Sequence, residues 1–179
     1  MKLLEKVRTY LRISGGEEIA RRYLVINSLD GVMVGLGILL SALFFKNLGL
    51  DSLIRICFVT GLAMMLSGIF GAYISEEAER EIKLKRMERR LLRGLENSII
   101  GRASRFTLIF LALVEGLSPL LALVFSYSPI FLAKLGVLEF YPSLKLAIFF
   151  SLFFIFMLGY YLGSLSKKNP LIFGMKALL

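Results

Sequence analysis

The sequence predicts an all-α fold, a polytopic transmembrane helix bundle, and three observations predict it. First, 57% of the residues are hydrophobic and the mean hydropathy is +0.76, above the range of soluble globular domains. Second, four stretches reach the roughly 20 mostly apolar residues that a helix needs to cross a bilayer, at about 23–45, 52–74, 106–127 and 144–165. Third, lysine and arginine are segregated between alternate loops, as in proteins threaded through a membrane.

In chain order, residues 1–22 place Leu3, Leu4, Val7 and Leu11 at helical spacing among charges, until Gly15 and Gly16 break the pattern. This predicts an amphipathic segment on the membrane surface. The segment lacks the apolar core and cleavage site of a secretory signal, so it is expected to belong to the mature protein. Residues 23–74 hold the first two spans. Residues 75–105 read as a charged helix continuing out of the second, with Leu84, Met87, Leu91 and Leu95 as its apolar stripe and Gly94 and Gly101 loosening its end. Residues 106–166 hold the third and fourth spans. Two prolines and two charges in 128–142 predict an external loop with interfacial pieces between them. Residues 167–179 are expected to form a tail or the start of a further helix.

Six Lys or Arg precede the first span, nine lie between the second and third, and three follow the fourth. The other side holds only Lys46, Arg55, Lys134 and Lys145. The positive-inside rule then places the N-terminus, the 75–105 segment and the tail in the cytoplasm of a multi-pass cell-membrane protein. Topology explains the net charge of +9, so nucleic acid is not indicated as a partner. The lipid bilayer is, and juxtamembrane cations attract its anionic headgroups.

With no histidine and a single cysteine, Cys57, the chain offers neither a disulfide nor a zinc-type ligand cluster. A metal would have to be held by oxygen and thioether groups. Asp30 stands about 10 Å into the first span. An ionisable group there costs roughly 3 kcal/mol on insertion scales, which marks it as functional. Met64 and Met65 lie about 15 Å into the second span and Glu115 about 14 Å into the third, so three helices are expected to present two carboxylates and a thioether at one level. Sulfur shifts such a site from magnesium and calcium towards iron, manganese, cobalt or zinc. A carboxylate in low dielectric is protonated at little cost when the site is empty, and an arriving metal expels the proton.

Glycines flank these groups. Gly31 and Gly35 offer a close helix contact, as does Gly68, and Pro119 leaves the Glu115 carbonyl without its helical donor. On the charged helix Glu77, Glu81 and Glu88 share a face, while Glu76 with Arg80 and Glu81 with Lys85 have the spacing of helix-stabilising pairs. There is no His-Glu-x-x-His, no Gly-x-Gly-Asp and no nucleophile set, so an enzyme is not expected.

RRYLVINSLDGVMVGLGILLSAL, GLAMMLSGIFGAYISEEAERE and GLSPLLAL together resemble the vacuolar iron transporter family, especially its short archaeal and bacterial members, over about residues 17–176. The resemblance implies a homodimer whose pore forms between the first spans of two subunits. It also implies export of ferrous iron or manganese from the cytosol in exchange for protons, the metal being substrate and no cofactor being needed. Asp30 matches the family's first-span aspartate, and Met64 or Met65 its second-span methionine. Glu18 approximates one of the family's acidic residues ahead of that aspartate, and with Glu77, Glu81 and Glu88 it would collect metal on the cytoplasmic side. The family's cytoplasmic domain is longer and rich in glutamate, whereas this loop is short and net positive. The family has a fifth span, which would begin where KKNPLIFGMKALL stands. A non-transporting interaction or regulatory module using the basic helix is the alternative.

Overall fold

A computed structural model describes residues 2–45 and 48–179, and of residues 2–4 the backbone alone. The expected roles of the Lys2, Leu3 and Leu4 side chains and the charge of Lys46 therefore lie outside the described residues.

All regular elements among the described residues are helices: α1 (Lys2–Ile13), α2 (Gly16–Phe45), α3 (Leu50–Leu91), α4 (Ile99–Ser126), α5 (Ser128–Lys134), α6 (Phe140–Leu165) and α7 (Pro170–Ala177). Four of these, α2, α3, α4 and α6, are long and apolar enough to cross a membrane. Lipid offers no partner for backbone N–H and C=O groups, so a chain of this hydropathy satisfies them within its own helices.

Several boundaries differ from the sequence reading. Helix α2 starts at Gly16, because Gly15 alone, at φ +67°, turns the chain out of α1. At 42 residues α3 is about 60 Å long, twice the hydrocarbon thickness, so its charged second half continues without a break. It stops where Leu92 adopts φ +50°. Leu95 therefore does not extend the helical stripe: it is buried in the following turn, while Met87 and Leu91 are exposed. Nor does Gly101 loosen the end of α3. It sits inside α4, where a Cβ would fall 2.4 Å from the Glu96 carbonyl oxygen. The 128–142 segment holds α5, with Pro129 in its first turn, and the start of α6.

Two compact units are distinguished, and each is discontinuous in sequence. The first contains the chain up to Leu24 together with Met65–Leu117. Within it, the Ser14 and Thr107 hydroxyls lie 2.7 Å apart, and Tyr10 meets Phe106 edge-on at 5.6 Å. The turn from α3 to α4 is closed by Glu88, whose Oε1 accepts from the Leu95 N–H at 2.7 Å, and by Arg105, which donates to the Glu96 carbonyl at 2.7 Å.

The second unit contains Val25–Met64 and Ser118–Leu179. Its largest core joins Leu39, Leu53, Cys57, Leu123, Tyr127 and Leu144. Tyr127 is fully buried and donates its hydroxyl to the Gly35 carbonyl at 3.2 Å, which keeps a polar group satisfied in apolar surroundings. Lys134 at the end of α5 pairs with Asp51 at the start of α3. Helix α7 is capped by the Asn169 side chain, which accepts from the Leu171 N–H at 3.1 Å. It packs on α6 at Gly159 and Gly163, where a Cβ would meet the Phe173 carbonyl at 2.6 Å and the Pro170 Cα at 2.7 Å.

Candidate functional site

Asp30 is oriented by the glycine that follows it. Gly31 faces α4 so closely that a Cβ would fall 2.4 Å from the Pro119 carbonyl oxygen, and Gly35, one turn on, would meet the Tyr127 ring at 3.2 Å. The small-residue face of α2 is thus used within the chain itself. Seating that face on α4 turns the neighbouring face outward, and Asp30 stands on it, exposed, with Ile26, Met33, Gly37 and Phe44 at helical spacing. A Cβ at Gly37 would meet open space. The Asp30 side chain makes no hydrogen bond or ion pair among the described residues.

Met33 did not emerge from the sequence as a candidate. It lies three residues beyond Asp30 and is 54% exposed on the same face. Its spacing was the available signal, since residues i and i+3 of a helix are neighbours.

The other expected ligands are distributed between the units. Met64, half-buried on α3, belongs with Asp30 to the second unit, whereas Met65 and Glu115 belong to the first. In the first unit α3 and α4 cross with their backbones touching. A Cβ on Gly116 would fall 2.5 Å from the Met65 carbonyl oxygen, and one on Gly68 would fall 2.8 Å from the Gly116 Cα. That crossing holds Glu115 half-buried beside Gly68. No cluster of three or more His, Cys, Asp or Glu suited to a metal occurs among the described residues.

On the charged half of α3 the glutamates have different fates. Glu76 and Arg80 are both buried, with Arg80 Nε 3.1 Å from Glu76 Oε2, while Tyr23 donates its hydroxyl to Glu76 Oε1 at 2.9 Å. The Nε contact is an ion pair rather than an aligned hydrogen bond. Burial draws the Arg80 guanidinium below its usual pKa range, and the Glu76 charge opposes that. Glu81 is exposed and paired with Lys85 at 2.5 Å, which holds its carboxyl below the usual range.

Glu88 caps the turn at Leu95, so two of the four candidate collecting residues have structural partners. Glu77 and Glu81, together with Glu96, line a cavity of about 410 Å³ that Arg80 and Arg105 also border. Glu18 is exposed in the first turn of α2, where a carboxylate complements the helix dipole.

Four membrane-length helices, with no sheet among the described residues, make this a polytopic α-helical membrane protein of a kind compatible with transport. No family model matches the chain, and no solved structure matches it. It is similar to an uncharacterized protein of Methanocaldococcus jannaschii, 26% identical over 179 residues, in an alignment covering 98% of this chain and 90% of that protein.

Proposed function

We propose that the protein moves a divalent transition metal, ferrous iron or manganese, out of the cytosol in exchange for protons, acting as a homodimer centred on Asp30. The observation that carries this reading is the exposed position of Asp30 within a membrane-length helix. A carboxylate facing lipid costs roughly 3 kcal/mol, whereas one that shares a cation with its counterpart on a second copy does not bear that cost. Gly37 leaves room on this face, and Met33 adds a thioether beside each carboxylate. Two copies would then offer paired carboxylate and sulfur ligands, a set suited to ferrous iron or manganese over calcium. Metal binding by carboxylate ligands releases protons, which is how the two fluxes would be coupled.

The test is metal-driven proton flux in proteoliposomes containing the full chain, with ferrous iron, manganese and zinc in turn. Asp30→Asn is expected to reduce flux to background, and Met33→Leu to slow it while shifting preference towards harder cations. Background flux from the unaltered chain with every metal would overturn the transport reading. It would favour a membrane module acting through its basic helix, a reading supported by the structural engagement of Glu81 and Glu88.

A further inference from the structure

A second cavity, of about 180 Å³, opens in the first unit where α1, α3 and α4 come together. Its polar lining includes Arg80, Lys83 and Ser104, its apolar lining Ile13, Leu84 and Ile100, and no carboxylate borders it. Arg80 is only 8% exposed, and its Nε is the atom turned towards Glu76. Lys83 is exposed and makes no ion pair among the described residues, although Glu79 stands four residues before it. Lys83, without an ion pair, and Arg80, whose charge is shared with Glu76, thus border a space that has no carboxylate in its own lining among the described residues.

The level of the cavity identifies the anion. Arg80 lies six residues past Ile74, the last apolar residue of the second span, or about 9 Å along the helix. Ser104 lies just before the apolar run of α4. Groups so placed stand in the headgroup layer, outside the hydrocarbon. This is the end of the protein that its charge asymmetry assigns to the cytoplasm, where the leaflet is rich in anionic lipid.

We propose that this cavity binds the phosphate of an anionic phospholipid. Arg80 and Lys83 supply the charge and Ser104 a hydroxyl donor, while Ile13, Leu84 and Ile100 cover the first carbons beyond the phosphate. The apolar side favours a lipid over a free phosphate, which would gain nothing from three aliphatic side chains. A lipid seated here bridges α1, α3 and α4 within the first unit. The assignment is independent of the transport reading and holds whether or not metal moves.

Native mass spectrometry of the full chain in neutral detergent, titrated with phosphatidylglycerol and separately with phosphatidylcholine, tests it. Phosphatidylglycerol is expected to bind with one retained lipid per chain, and Lys83→Gln to weaken it about fivefold, the worth of one cation near an anionic headgroup. Arg89→Gln removes the same charge from another side of α3 and is expected to leave the affinity unchanged. Equal weakening by both substitutions, or equal binding of phosphatidylcholine, would overturn the site. Displacement of the lipid by millimolar inorganic phosphate would also overturn it and assign the cavity to a soluble phosphate ester.

Discussion

Tyr23 donates to one oxygen of the Glu76 carboxylate while the other faces the Arg80 guanidinium, and the two charged residues are 7% and 8% exposed. Removing both charges from water costs several kcal/mol each, so mutual attraction does little more than offset burial. Breaking the pair is a different matter, because it leaves one charge buried alone. Glu76→Gln is therefore expected to destabilise the protein by about 3 kcal/mol. Tyr23→Phe removes one hydrogen bond to a charged acceptor at a half-exposed position and is expected to cost about 1 kcal/mol. The double replacement Glu76→Leu with Arg80→Met should cost less than Glu76→Gln alone, since nothing charged is left behind. Thermal unfolding of the purified variants in one detergent checks this, and additive losses in the double variant would contradict it. The sequence offered Glu76–Arg80 and Glu81–Lys85 at identical spacing, yet one pair is buried and the other open to solvent. Spacing along one helix shows that two groups meet. It does not show what covers them, and the Tyr23 partner, 53 residues away, had no local signal at all.

The glycines of α2 separate two faces of one helix by the contacts they permit. Gly31 lies against α4 backbone, which cannot yield as a side chain does, so Gly31→Ala is expected to cost about 1–3 kcal/mol as the helices are forced apart. Gly37 meets nothing within 4 Å, and Gly37→Ala should leave the protomer unchanged or stabilise it by up to about 1 kcal/mol through helix propensity. Unfolding measurements on the two variants compare them directly, and equal losses would show that Gly37 is packed. Gly37→Phe extends the argument to the homodimer proposal: it is expected to leave the protomer folded but to shift the mass in detergent from dimer towards monomer. Glycine spacing was legible in the sequence because GxxxG is a local pattern. The identity of the opposing surface was not, and the face with Gly31 and Gly35 proved to be occupied by Pro119, Leu123 and Tyr127. Once that rotation of α2 is known, the outward position of Met33 follows from its spacing to Asp30.

At the scale of the whole molecule, the four spans were readable because the bilayer imposes one requirement on every residue of a crossing, namely apolar side chains over a helix of sufficient length. The candidate site was less readable. Depth along each helix can be counted from the sequence, whereas the face that Asp30, Met65 or Glu115 presents depends on how its helix is rotated against the others. Charge asymmetry makes a separate prediction about orientation, which labelling can check. Cys57 is 2% exposed in the core of the second unit, so its thiol is shielded from bulky reagents. With Cys57→Ala as background, Arg90→Cys places an exposed thiol near the end of α3, and Val137→Cys places one between α5 and α6. If the basic segments face the cytoplasm, a membrane-impermeant maleimide applied to intact cells labels the chain carrying Val137→Cys. The chain carrying Arg90→Cys is labelled only after the cells are permeabilised. The reverse pattern would invert the topology, and with it both the leaflet assigned to the proposed phospholipid cavity and the direction of the proposed metal movement. Labelling at both positions in intact cells would mean that the chain inserts in two orientations, for which a bias of eighteen Lys and Arg against four leaves little room.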